Sequence, residues 1–237
     1  MALRFKKGDK GKDVKEVQEW LCYHEFGVAI DSDFGNITEI ALKKFQKYYK
    51  LEQTGVVDDF TWDILVSPLV RATEIFPAKE TFGKTVVAVA EKHLKEHPIE
   101  IGGQNAGPFV RYYMNNNEGP NYPWCAGFVS SIITQAARCH KIQVPIKLSF
   151  SCDNLAMSNK IVQYPNPLIK EGAIFLLKKS ANDWIHTGIL RKLVVKTDNT
   201  KSYYETIEGN TNFEGSREGV EVRERIRGFN NVDFIPV

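Results

Sequence analysis

Apolar residues recur at helical spacing through the first third of the chain. Val14, Val17 and Leu21 share one face of a helix that Asp13 is suited to cap. The following stretch, AIDSDFGN, is dense in the aspartate, asparagine and glycine that tight turns use. Ile37, Ala41, Phe45 and Tyr48 then outline a second helical face closing near Gly55, and Asp58 leads a short third segment with Trp62 and Leu65. Three short amphipathic helices predict a bundle of about 65 residues, near the lower size limit for independent stability.

Residues 71–84, RATEIFPAKETFGK, break this pattern with a proline, a glycine and mixed charge. The spacing predicts three parts: residues 1–72 as the bundle, 73–84 as a linker and 85–237 as a second domain. In that domain a helix is expected from Val86 to about Glu96. Another starts at Cys125, where Phe128, Val129, Ile132 and Ala136 follow at i+3, i+4, i+7 and i+11. Strand-like segments come later, at GAIFLL, HTGILRKLVV, YYETIE and GVEVRERI. Helices first and strands afterwards predict an α+β fold.

Composition narrows the function classes. With 43% hydrophobic and 25% charged residues the 237-residue chain is an ordinary globular protein. Thirty-one basic residues against 29 acidic ones leave a net charge of +2, which argues against a generally basic nucleic-acid binder. After residue 75 basic residues outnumber acidic ones, a balance that suits an anionic polymer. The cysteines Cys22, Cys125, Cys139 and Cys152 show neither zinc-finger spacing nor a disulfide framework, although a single Cys139–Cys152 bridge stays open. MALRFKKGDKGKD lacks the apolar run of a signal peptide, and no segment approaches a membrane span. The expectation is a monomer made in the cytoplasm, not inserted in a membrane, that acts elsewhere after lysis or another export route.

Chemistry concentrates at three places. Cys125 follows Pro123 and Trp124 at a helix start, where unpaired N–H groups and the helix dipole favour a thiolate and can stabilise an oxyanion. Alone, it reads equally as a small buried hydrophobe. His186 lies on an apparent strand with Gly188 on the same face, which leaves space beside the ring. Glu208 and Asn210 flank Gly209 and, if extended, project from one face. Either would accept the imidazole Nδ1 proton and hold the useful tautomer. Trp124 and Tyr122 flank the cysteine as substrate-binding candidates. His93-Leu94-Lys95-Glu96-His97 formally matches a zinc-peptidase arrangement, but Pro98 pulls His97 out of the helix, and an exposed charged helix end is the preferred reading. Asp31 and Asp33 read as a hydrogen-bonded turn, too few oxygens for calcium. Gln18 and Gln46 either touch a ligand or lie on helix surfaces.

Two resemblances extend this reading. Gly8, Gly11, Asp13-Val14, Gln18, Leu21, Asp33-Phe34-Gly35, Thr38, Ala41, Phe45-Gln46, Leu51, Thr54-Gly55-Val56, Asp58, Thr61-Trp62 and Leu65 together resemble the peptidoglycan-binding-domain-1 family across residues 5–70. Ser32-Asp33 stands where that family often has Asp-Gly. The order Trp124-Cys125 with Phe128-Val129, then His186-Thr187-Gly188-Ile189, then Glu208-Gly209-Asn210 resembles the cysteine, histidine-dependent amidohydrolase/peptidase (CHAP) family across residues 84–237. It departs in a lysine- and asparagine-rich insertion near Lys196–Lys201 and in lacking an aspartate cluster ahead of Cys125. These resemblances imply a three-helix wall-binding module beside a papain-like α+β domain with an antiparallel sheet. Cys125 would be nucleophile, His186 base, Glu208 the orienting acid and Asn210 the polar residue completing the site. The implied activity is a peptidoglycan amidase or endopeptidase, needing neither cofactor nor metal. The alternatives are an inactive wall-binding protein and a zinc peptidase using His93 and His97.

Overall fold

The computed structural model describes residues 5–196, 202–214 and 219–237. Its first helices are α1 (Lys12–Tyr23), α2 (Asn36–Tyr48) and α3 (Asp59–Thr73). Val14, Val17, Trp20 and Leu21 of α1 bury against Leu42, Phe45 and Leu65. The α3 cap is Asp58, whose carboxylate accepts the Thr61 N–H at 2.8 Å. Asp13, expected at the α1 cap, lies inside its first turn, and Gly11 takes the cap position.

The inward face of α2 also differs from the expected stripe. Ile37 and Tyr48 are 66% and 71% exposed, while Thr38, Ala41, Leu42, Phe45 and Gln46 are buried. The reason lies in two buried glutamines. Gln18 donates to Asp31 Oδ1 at 2.7 Å and to the Asp33 carbonyl at 3.1 Å, and accepts from the N–H groups of Asp31 and Ser32. Gln46 donates to the Val56 carbonyl at 3.0 Å and accepts the Gly55 N–H. Each amide supplies the backbone partners a buried turn requires, so both are turn clamps, neither surface residues nor ligand contacts. Asp31 and Asp33 belong to the first of these turns: Asp33 N–H donates to Asp31 Oδ1, and Lys10 pairs with Asp33 at 2.6 Å.

The remainder comprises α4 (Phe82–Glu96), α5 (Pro108–Tyr113), α6 (Cys125–His140), α7 (Cys152–Ser158) and strands β1 (Ile174–Ser180), β2 (Asp183–Val194), β3 (Tyr203–Thr211), β4 (Glu221–Arg227) and β5 (Val232–Ile235). The strands form one antiparallel sheet of order β4-β3-β2-β1-β5. This is the α+β architecture that the order of elements predicts. Helix α6 packs on β2 and β3, with α4 beside it. Ile174, Leu176, Ile189 and Ile207 face these helices, while Phe175, Leu190, Tyr204 and Phe234 form a smaller core on the other face. The insertion expected near Lys196–Lys201 lies, apart from Lys196, outside the described residues.

One apolar core runs from α1 to the sheet. Polar contacts reinforce the junction: Tyr23 Oη donates to the Glu96 carbonyl, Arg71 pairs with Glu96 at 2.6 Å, and Gln135 donates to the Ala72 carbonyl at 2.9 Å. The turn before β1 meets the start of α4 backbone to backbone. A Cβ on Gly83 would stand 2.2 Å from the Glu171 carbonyl oxygen. Gly83→Ala is therefore expected to cost about 1–3 kcal/mol of unfolding free energy through forced backbone displacement, measured by urea denaturation.

Candidate active site

Helix α6 begins at Cys125, so the cysteine occupies the first helical position with Trp124 as cap and Pro123 just outside. Its stripe of Phe128, Val129, Ile132 and Ala136 is fully buried, and Cys125 itself is 4% exposed. That small exposure opens into a cleft of about 420 Å³ lined by Gln104, Asn105, Pro123, Phe150, Cys152 and Asn210 among others. The buried-stripe and cleft readings of Cys125 thus hold together, because the first turn of a helix can pack one side while its end faces solvent.

His186 lies on β2 and is buried, like Glu208 on the neighbouring β3. Its Nε2 meets Glu208 Oε2 at 2.8 Å. The imidazole and the Cys125 sulfur are electrostatically coupled, each favouring the charged form of the other. With Nε2 occupied by Glu208, Nδ1 is the ring nitrogen left without a hydrogen-bond partner and available to the sulfur. The expectation that Nδ1 would point to the acid is therefore inverted: β3 runs beside β2 on the Nε2 side of the ring.

Gly188 serves a purpose different from open space beside the ring. A Cβ there would lie 2.7 Å from the Phe175 ring, 2.9 Å from the Ile207 carbonyl and 3.0 Å from Glu208 Cγ. The missing side chain is what lets the stem of Glu208 approach β2. Asn210 departs from the extended backbone expected of it, with φ of 55° at a register shift between Glu208 and Thr211. Asparagine tolerates that left-handed conformation, and the irregularity places Asn210 in the cleft wall while Glu208 stays beneath the imidazole.

Beneath Glu208 lies a residue the sequence reading missed. Arg227 of β4 donates from Nε to Oε1 and from Nη2 to Oε2, each at 2.5 Å, and Thr206 donates to Oε1 at 2.5 Å. A fork of this kind fits a carboxylate bidentately. In GVEVRERIR no local signal separates Arg227 from Arg223 and Arg225: the register sets Arg223 opposite Glu208 and Arg227 opposite Tyr204, and the long Arg227 side chain reaches along the sheet to the carboxylate. The charges then order themselves. Burial opposes ionisation of Glu208, but Arg227 and His186 overcome it and hold the carboxyl at about 2. Burial likewise opposes the imidazolium, yet Cys125 and Glu208 raise His186 to about 9. The Cys125 thiol falls well below its usual range, through a hydrogen bond from Cys152 and then, against burial, through His186 and the Ala126 N–H.

Trp124 does not line the cleft: its ring is buried, stacks on Tyr113 at 5.5 Å and donates from Nε1 to Glu100 at 2.9 Å, so it packs the helix start. Tyr122 is 40% exposed and outside the lining, although Asn121 and Pro123 on either side belong to it. His93 is buried, contrary to the expected exposed helix end, with Nδ1 2.8 Å from Tyr113 Oη and Nε2 2.9 Å from Gln135 Oε1. His97 takes a left-handed backbone and pairs with Glu221 at 2.8 Å. These partners remove the two histidines from any common metal site, and among the described residues no group of three or more His, Cys, Asp or Glu is arranged to hold an ion. Cys139 sits four turns along α6, about 20 Å from the start of that helix. The expected option of a Cys139–Cys152 bridge gives way to proximity between Cys152 and Cys125, at 3.7 Å.

Comparison with known proteins bears on the first three helices. Residues 10–65 match the family described as a putative peptidoglycan binding domain, and the chain carries such a domain at its N-terminal end. A solved structure of the SleB N-terminal domain is 33% identical over 27% of this chain and 90% of its own, with a TM-score of 0.27. A peptidoglycan-binding protein from Clostridioides difficile, solved with glutamine hydroxamate, is 41% identical over 27% of this chain, with a TM-score of 0.26. The present chain spans 40% of the length of that protein. No curated protein matches the chain.

The paired charges carry a measurable signature. Alkylation of Cys125 by iodoacetamide is expected to stay fast far below the usual thiol range, where the thiolate is paired with imidazolium, and to change in rate as His186 loses its proton near its value of about 9. Glu208→Gln removes the anion that helps raise His186, so the loss of the imidazolium with rising pH moves to lower pH. Mass-resolved alkylation rates across pH 4–10 test this, and an unmoved profile refutes the coupling.

Proposed function

We propose that a chain with a peptidoglycan-binding domain at residues 10–65 and a buried Arg227–Glu208–His186 row leading to Cys125 in a cleft is a peptidoglycan hydrolase. It cleaves a wall amide through a thioester. The observation that carries this reading is the convergence of Cys125 and a buried imidazole, itself fixed by a buried acid, next to solvent-reachable space.

The Cys125 thiolate attacks the amide carbon, and the carbonyl electrons move onto oxygen. Unpaired N–H groups in the first turn of α6 are donors for that oxyanion, and Gln104, which lines the same cleft, offers a side-chain amide. The His186 imidazolium gives its Nδ1 proton to the departing nitrogen, so the C–N bond breaks with a neutral amine and a thioester. Neutral imidazole then takes a proton from water as the hydroxyl attacks the thioester. The acid leaves, and the thiolate–imidazolium pair is restored. Glu208 does not exchange protons: with its carboxyl held at about 2, it remains the anion that orients the ring and balances its charge. The resemblance to the CHAP family supports the same roles.

The N-terminal domain supplies the polymer, and the cleft selects the bond. An N-acetylmuramoyl-L-alanine amidase and a peptide endopeptidase share this chemistry and differ in the fragments they release. Cys125→Ala is expected to abolish clearing of purified walls while co-sedimentation with those walls persists. Residual lysis at the parent rate removes the cysteine mechanism. Lysis absent from the parent, with binding intact, makes the chain a wall-binding protein only.

A further inference from the structure

The mechanism uses one thiol, yet two stand at the floor of the cleft. Cys125 opens α6, Cys152 opens α7, and their sulfurs are 3.7 Å apart. Both line the cleft, so a small solute reaching one reaches the other. Their approach is built by the fold. Ser151 caps α7 by accepting the Asn154 N–H, and Asp153 accepts the Trp184 N–H at 2.7 Å, tying α7 to β2 two residues before His186. Trp184 is held in turn by Asp233 at 2.9 Å. A thiol involved only in packing needs no such alignment with a thiolate.

We propose that Cys125 and Cys152 form a site of reversible oxidative modification, closing to an intramolecular disulfide when a peroxide enters the cleft. A disulfide requires sulfurs about 2.05 Å apart. The remaining approach is smaller than the displacement of a sulfur between staggered rotamers. The chemistry balances in two steps. The Cys125 thiolate attacks one peroxide oxygen, the O–O bond breaks, and with one proton taken up the products are a sulfenic acid and water. The Cys152 sulfur then attacks the sulfenic sulfur, the S–O bond breaks, and hydroxide leaves with the Cys152 proton as a second water. Two thiols lose two electrons, which the peroxide gains.

The order of attack follows from the charges. Cys125 is the ionised member, while Cys152 is held protonated well above its usual range by its bond to Cys125, then by burial and by the Cys125 charge. Conversion of Cys125 to a neutral sulfenic acid removes that charge and frees Cys152 to ionise and resolve it. The disulfide consumes the nucleophile, so oxidation stops hydrolysis and a small dithiol restores it. This consequence, unlike the bond itself, rests on the hydrolase reading.

The test treats the full reduced chain with hydrogen peroxide, follows wall clearing, and maps peptides without reduction. The expected product is a Cys125–Cys152 cross-linked peptide lacking two hydrogens, with loss of lysis and its recovery in dithiothreitol. After prolonged peroxide, Cys152→Ser, referred to its own untreated activity, is expected to carry sulfinic acid at Cys125 and to stay inactive in dithiothreitol. Sulfinic acid at Cys125 beside free Cys152 in the parent chain, or a bridge to Cys22 or Cys139 instead, overturns the proposal. A reduced parent that forms the bridge yet never lyses walls refutes the hydrolase reading and leaves the modification site standing.

Discussion

The site depends on a carboxylate that could not stay ionised alone. Glu208 is fully buried, and its charge persists because Arg227 grips both oxygens from one side while the His186 ring meets one from the other. Guanidinium, carboxylate, imidazolium and thiolate alternate in sign along this row, so each charge is compensated by its neighbours in a low-dielectric setting. The high affinity of His186 for a proton and the acidity of Cys125 are two views of the same balance. Removing an interior member strands the charges on either side, and for that reason the row behaves as a unit.

Strand pairing assembles three of the four members. His186, Glu208 and Arg227 lie on β2, β3 and β4, adjacent in the sheet. Their separation in sequence is therefore no obstacle, since neighbouring strands are about 4.8 Å apart. The fourth member comes from α6, whose buried stripe sets its height over the sheet and whose first residue is the cysteine. Close packing at Gly188 leaves Glu208 little freedom, because Phe175 and the Ile207 carbonyl occupy the space a larger residue would need.

What the sequence discloses follows from which features are local. A 3.6-residue stripe reports α6 and the cysteine at its start, and runs rich in β-branched and aromatic residues report β1 to β4, since these patterns are local to each element. The four-residue β5 is interrupted by Asp233, so VDFI is too short a run to carry a strand signature. Gln18 and Gln46 look like surface polar residues until the turns they clamp come into view. Arg227 and Cys152 are invisible for the same reason: each gains its role from a partner distant in sequence, Glu208 in one case and Cys125 in the other. Trp124 shows the converse, where an aromatic beside Cys125 suggests a ligand contact and its buried indole instead donates to Glu100.

The three N-terminal helices meet the rest of the chain beside the cleft. Glu19 of α1 is buried and pairs with Arg111 of α5 at 2.5 Å, and Arg111 also holds Glu118 at 2.7 Å. Glu118 accepts the Gly107 N–H and pairs with Lys15 of α1 at 2.9 Å. The same loops supply Asn105 and Pro120 to the cleft, linked by a hydrogen bond from the Asn105 amide to the Pro120 carbonyl. A flexible tether would only raise the local concentration of polymer. Here the module's own side chains brace the loops that shape the cleft, so polymer held on these helices meets a cleft of fixed orientation, and the entropy of aligning the two is spent during folding. On the proposed reading, wall binding and bond selection are therefore coupled through α1 and the 105–120 segment.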